Sequence, residues 1–249
     1  MNPSAALQST VEDFLDSLKE TPGAAQAELV NCILRACGCN DTVNEDEAVD
    51  YDGVVDALDN FTEALKQVRR TTHAFFSLPT YPFVSQDDSP LYPLTSRLPI
   101  FKKFRKSLSE FLERLIVSAA ELGILYTTDL IATIQTWITC MSSSQLRSFR
   151  HTATVVALEI LTALCDVAAA VDKEADVLAR QKAGEKKRRA GNKTKTTTSR
   201  EKELESKAAE VGERKASLAE FLKELVDRYV ATYADCALRL QVSIPLASS

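Results

Sequence analysis

Few side chains in this sequence could do covalent chemistry. Histidine occurs only at His73 and His151, far apart, and nothing beside either one sets a nucleophile, a base and an oxyanion donor together. Cys32, Cys37 and Cys39 lie close enough to suggest a metal, yet structural zinc needs four ligands and no second Cys/His pair is spaced to complete the set. Small buried residues beside a helix-ending Gly38 account for them. The carboxylate pairs Asp46-Glu47 and Asp87-Asp88 read as solvated loop charge. No GxGxxG and no GxxxxGK[ST] occurs anywhere, so no loop is built to cradle a nucleotide phosphate. The expectation is a non-enzyme with no catalytic residue, no metal and no cofactor.

The basic residues carry more information. Net charge is −5, but the sign alternates along the chain. Residues 1–96 hold 5 basic and 16 acidic groups, 97–151 hold 8 and 4, and 180–202 hold 10 and 2. Two basic islands therefore sit in an acidic chain, and a polyanion responds to such local fields rather than to the overall pI. On a helical wheel Lys102, Lys103, Arg105 and Lys106 share an arc of about 160°, opposite Phe101, Phe104, Leu108 and Phe111. Arg147 and Arg150 sit likewise opposite Leu146, Phe149 and Ala153.

Both groups fall in the first turn of a predicted helix. There the macrodipole is already positive and each cation costs about 0.3–1 kcal/mol. A bound anion would offset that cost, and phosphate is the natural one. Lys186, Lys187, Arg188 and Arg189 form the second island at a helix C-terminus, where positive charge is favourable; a nuclear-import signal, a secondary nucleic-acid contact and plain solvation of a hairpin tip all fit them.

The elements that must hold these residues are helices. Glycine numbers 7 of 249 residues and five of the eight prolines lie between Pro79 and Pro99, leaving long stretches free of helix breakers. Leu7, Val11, Phe14 and Leu18, then Leu29 and Ile33 before Gly38, predict two opening helices. An acidic loop at 44–50 leads to a third helix over about 51–70, with Val55, Leu58, Phe61 and Leu65 on one stripe. Residues 78–99 read as a proline-rich connector packed through Tyr81, Phe83, Leu91 and Tyr92.

A helix then starts at Pro99 and runs to about Leu122. Another, capped by Thr128, carries Leu130, Ile134, Trp137 and Ile138, and the two are expected to pair antiparallel. From Leu146 the apolar positions Phe149, Ala153, Val156, Ile160, Ala163, Val167 and Val171 step by three and four. A second series, Leu204, Ala208, Val211, Lys215, Leu218, Leu222 and Leu225, keeps one heptad. These predict an antiparallel hairpin on the order of 60 Å long.

The fold class is thus all-α, a HEAT-like helical repeat array with a long protruding antiparallel helical hairpin. Expected divisions are 1–77 (N-terminal helices), 78–99 (connector), 100–145 (helix pair) and 146–249 (hairpin, tip about 190–200). The apolar window at 152–171 is long enough for a membrane span, but Glu159 and Asp166 interrupt it, so a buried helix and no membrane partner are expected. With no leader read at Met1, the six cysteines are expected free, in a reducing compartment. Asn60 and Asn192 then match glycosylation acceptors without consequence.

Three stretches carry a family resemblance. They are Leu29-Val30-Asn31-Cys32-Ile33-Leu34-Arg35-Ala36-Cys37-Gly38-Cys39, then Tyr92-Pro93-Leu94-Thr95 followed by Phe101-Lys102-Lys103-Phe104-Arg105, and above all Leu146-Arg147-Ser148-Phe149-Arg150-His151-Thr152-Ala153-Thr154. In order and separation they resemble the stromal-antigen (STAG) segment of the cohesin HEAT-repeat subunit, and the charged hairpin resembles that subunit's protruding nose.

The resemblance implies a non-enzymatic chromatin protein of the nucleus that supports cohesin loading and sister-chromatid cohesion. It also implies the cohesin kleisin subunit as a partner, mainly through parts outside these residues, and the cohesin loader and other regulators. Taken with the basic helix starts, it assigns double-stranded DNA, gripped by its phosphates without base reading, to Lys102, Lys103, Arg105, Lys106, Arg147 and Arg150, with Lys186, Lys187, Arg188 and Arg189 as a further contact. The alternative is a helical protein-interaction scaffold whose basic patch and hairpin dock acidic proteins.

Overall fold

The computed structural model describes residues 3–75, 92–191 and 199–242, with side chains over a somewhat smaller set. All eight α-helices found there, and two short 3-10 turns, are joined without any strand among the described residues. The helices are α1 (Pro3–Glu20), α2 (Pro22–Ala36), α3 (Glu45–Val49), α4 (Tyr51–Phe75), α5 (Phe104–Glu121), α6 (Leu130–Ser142), α7 (Arg147–Gly191) and α8 (Ser199–Val242). The chain is all-α, a stack of helices from which the α7–α8 hairpin projects.

The apolar periodicity decides which faces are buried. Val11, Leu15 and Leu18 of α1 and Leu29, Val30, Ile33 and Leu34 of α2 are buried together. Gly38 stops α2 as expected. At φ 80° it lets the Cys39 N–H reach Leu34 O at 3.1 Å and its own N–H reach Arg35 O at 2.9 Å, a Schellman closure that an L side chain would strain. On α4 the buried apolar positions are Val54, Ala57, Leu58 and Phe61. Val55, expected in that stripe, is exposed. The side chain of Leu65, like Tyr81, Phe83 and Leu91, lies outside the described residues, as does most of the connector.

Two expectations at helix ends need correction. The acidic loop at 44–50 contains the helix α3. Asn44 Oδ1 accepts from the Glu47 N–H at 2.9 Å, and Glu47 Oε2 accepts from the Asn44 N–H at 3.0 Å. This reciprocal capping box, followed by acidic residues that suit the positive N-terminal dipole, makes one stable turn where composition suggested only solvated charge. The N-cap of α6 is Asp129, without a side-chain cap bond. The Thr128 hydroxyl instead donates back to Ile124 O at 2.9 Å.

The expected antiparallel pair of α5 and α6 does not form either. Helix α5 packs on α7 and α1, and α6 packs on α7, α8 and α4. The long apolar α7 offers each of them more surface than they offer one another. Trp137 of α6 is fully buried, with its indole N–H donating to Ala48 O at 2.9 Å, which fastens α6 to α3.

Helix α7 is long and apolar enough to cross a membrane by length and composition. One face of it, Phe149, Ala153, Val156, Ile160, Ala163, Leu164, Val167 and Val171, is buried within the protein, while Leu158 is exposed. On α8 the buried positions Leu204, Val211, Leu218 and Leu225 recur every seven residues, one seam of the expected heptad.

Ion pairs fix the antiparallel register: Arg200 to Glu185 at 3.4 Å, Arg214 to Glu174 at 3.1 Å and Lys215 to Asp172 at 2.7 Å. Lys215 is therefore exposed and paired across the hairpin. It does not share the buried seam of the apolar positions in its heptad series. Among the described cysteines Cys32, Cys37, Cys39, Cys140 and Cys165 are free; Cys236 lies outside the described side chains.

Candidate nucleic-acid interface

Helices α5 and α7 lie side by side and run in the same direction. The charge of Arg105 near the start of α5 is felt at His151 near the start of α7. Further along both helices, Ser109 Oγ donates to Glu159 Oε1 at 2.7 Å. The two helix starts therefore open at one end of the body, and the first turn of each lacks any acidic residue.

The sequence brings this about through burial. Leu108, Leu112 and Leu115 of α5 and Phe149, Val156 and Ile160 of α7 are buried in one core. The charged positions between them are left on the outer side.

Lys102, Lys103, Arg105 and Lys106 are all exposed. Among the described residues none of these four forms a salt bridge. Their local geometry differs from a continuous helix begun at Pro99. Residues Pro99–Phe101 form a 3-10 turn, Lys102 closes it and Lys103 is the uncapped N-cap of α5. Only Arg105 and Lys106 occupy the first helical turn. The change places Lys102 and Lys103 ahead of the helix, where the axis points its free N–H groups.

On α7, Arg147 is exposed. Arg150 is half-buried, and its guanidinium donates to Ser144 O at 2.8 Å and Gln145 O at 2.9 Å. It thus fastens the turn before α7 as well as adding charge to the rim.

A polar knot underlies these cations. The Tyr92 hydroxyl is hydrogen-bonded to His151 Nδ1 at 2.7 Å and to Thr152 Oγ1 at 3.1 Å, and the two rings meet edge to face with centroids 5.9 Å apart. Burial, followed by the charges of Arg105 and Arg147, holds the His151 pKa below its ordinary value. Burial above all pushes the Tyr92 phenol up to about 12, and it drives the Cys37 thiol higher still. The Tyr92 phenol and the Cys37 thiol therefore stay protonated at neutral pH, while His151 stays a neutral imidazole. The Tyr92 link was not legible in the sequence, because its partners lie some sixty residues away. The only signal was an aromatic residue closing a proline-rich segment.

The second island is distant. Lys186, Lys187 and Arg188 are exposed near the hairpin tip, about 55 Å along α7 from Arg150 at 1.5 Å per residue. Arg188 pairs with Glu185 at 3.2 Å, and Arg200 of α8 reaches the same carboxylate. The side chains of Arg189 and His73 lie outside the described residues. Away from both islands a cavity of about 580 Å³ opens between α4 and the α6–α7 turn, lined by Tyr51, Val55, Leu58, Thr62 and Cys140. Among the described residues no group of histidine, cysteine and carboxylate side chains is arranged to hold a metal.

The STAG domain family matches residues 90–207, a span that takes in both basic islands and the polar knot. This is a STAG-domain chain. It is 30% identical over 182 residues to cohesin subunit SA-1 of Xenopus laevis, covering 73% of this chain and 13% of that protein. It is 32% identical over 175 residues to cohesin subunit psc3 of Schizosaccharomyces pombe, covering 70% of this chain and 16% of that one. The STAG-domain chain therefore spans a small part of the length of the curated relatives it matches. In fold it is similar to cohesin subunit Scc3 from Z. rouxii, with a TM-score of 0.62 and 22% identity over 89% of this chain and 23% of that one.

Proposed function

We propose that this STAG-domain chain serves as part of a non-enzymatic cohesin subunit. In this reading it holds double-stranded DNA by its backbone in the nucleus and supports cohesin loading and sister-chromatid cohesion. Its relatives carry the name cohesin subunit, which supports a place beside the kleisin, the loader and other cohesin regulators on chromatin.

The observation that carries the DNA reading is the set of four exposed cations, Lys102, Lys103, Arg105 and Lys106, without salt bridges at the shared open end of α5 and α7. Outside that set, the exposed Arg147 of α7 adds its charge on the neighbouring helix start. A row of cations with helix N–H groups behind it complements phosphate, a group that every base pair carries alike.

Fluorescence anisotropy with a mixed-sequence duplex tests this. With four phosphates neutralised, log K should fall against log salt with a slope of about −4. The triple change Lys102→Glu, Lys103→Glu and Lys106→Glu should abolish most of the affinity for every duplex sequence alike. Unchanged affinity in that variant removes DNA from this face and leaves the basic patch to acidic protein partners.

A further inference from the structure

Ile100 is the most exposed large apolar side chain among the described residues, at 81% of its free surface, with Leu98 beside it at 46%. Isolated exposed aliphatics are ordinary, but these two stand inside the basic patch. Arg97 precedes them, Lys102 and Lys103 follow directly, and all three cations are exposed.

The turn that carries them is held rigid. Pro99 fixes its own φ, the Phe101 N–H donates to Leu98 O at 3.0 Å, and the Lys102 N–H donates to Pro99 O at 3.3 Å. Phe101 meets Phe104 edge to face at 6.3 Å between ring centroids, which anchors the turn to the start of α5 while Ile100 stays in solvent. Isoleucine is stiff at χ1, so it loses little rotamer freedom on entering a narrow slot.

An apolar tip ringed by cations fits a partner that is anionic outside and apolar within. Duplex DNA has that build, with phosphates along the groove and stacked bases between them. Proteins that grip the backbone commonly insert Ile, Leu or Pro between base steps to kink the duplex. A lipid surface shares the two chemistries, but a two-residue tip offers it little area, whereas one base step is filled by one side chain.

We propose that Ile100, supported by Leu98, is a wedge that enters a base step from the minor groove while the surrounding cations hold the phosphates, so that this chain kinks the DNA it binds. The proposal rests on the DNA-backbone reading above. It adds a preference for deformable steps such as TA and CA/TG, read as bending energy and not as base contacts.

The test uses the full chain and a duplex of about 30 base pairs, well below the persistence length so that a local kink dominates its shape. The duplex carries a fluorophore at each end and 2-aminopurine at a central TA step. Wild type should raise energy transfer between the ends and brighten the 2-aminopurine. Ile100→Ala should keep affinity within about threefold and the same salt slope, since it touches no phosphate, yet raise neither signal. Lys102→Glu with Lys103→Glu should lose binding itself. Wild type that binds without either signal, or Ile100→Ala that retains both, overturns the wedge and leaves the backbone reading intact. No duplex binding by wild type sinks both, and Ile100-dependent capture of phosphatidylserine vesicles in that case would assign the tip to lipid.

Discussion

His151 touches a tyrosine hydroxyl on one side and feels two arginines on the other, and this gives the STAG-domain chain a measurable pH signature. Burial and the charges of Arg105 and Arg147 hold its pKa below 6.5, so the unfolded chain binds a proton in a range where the folded chain resists it. Stability contributed by this site is complete above that range and is lost as pH falls through it. Denaturant midpoints compared at pH 7.5 and 5.5 should show this decline in wild type and a smaller one in His151→Gln.

Duplex binding carries the opposite sign. Phosphates settling on Arg105 and Arg147 would screen the repulsion, raise the His151 pKa and take up a proton, so affinity should tighten as pH drops from 7.5 towards 6. His151→Gln should lack that gain. At this scale the sequence showed which residues are charged and which face each one occupies. It did not show that Arg150 would turn back onto Ser144 and Gln145, because backbone carbonyls leave no trace in residue types.

Among the elements, legibility followed length. The forty-odd residues of α7 and of α8 repeat their apolar spacing often enough that no other secondary structure satisfies it. The five residues of α3 contain too few apolar positions for any period, and only the Asn44…Glu47 spacing pointed to a capping box. Pairing was less readable than existence. Adjacency in sequence favoured α5 with α6, whereas burial favours whichever partner covers most apolar surface, and that partner is α7 for both.

The hairpin seam gives the element-scale prediction. Leu218 is buried between α7 and α8, while Lys215, one turn earlier, is exposed and paired with Asp172. Leu218→Ala should cost about 2–5 kcal/mol through lost burial and the cavity it leaves. Lys215→Ala should cost under about 1 kcal/mol, as exposed ion pairs do. Urea denaturation of the two variants decides this. Equal losses would mean that the core seam passes through Lys215 after all.

For the whole molecule the decisive quantity is the separation of the two basic islands. Helix α7 is one continuous rod from Arg147 to Gly191, so Lys186 and Lys187 stand about 60 Å from the patch at the helix starts at 1.5 Å per residue. Duplex DNA rises 3.4 Å per base pair. A straight duplex lying along the hairpin would need about 17 base pairs to touch both islands, by the same two rises.

Two arrangements are then distinguishable. If both islands grip one duplex, Lys186→Glu with Lys187→Glu should leave affinity unchanged for a duplex of about 10 base pairs and weaken it, with a shallower salt slope, for one of about 25, since only the longer one offers phosphates at both ends of the rod. Arg188, already paired with Glu185, should add little to either. If the tip only keeps a long hairpin soluble, the double change should matter at neither length, and the patch at the starts of α5 and α7 should account for the entire salt dependence. The comparison needs no knowledge of the bound conformation, because a rigid rod of known length converts duplex length directly into which charges can be reached.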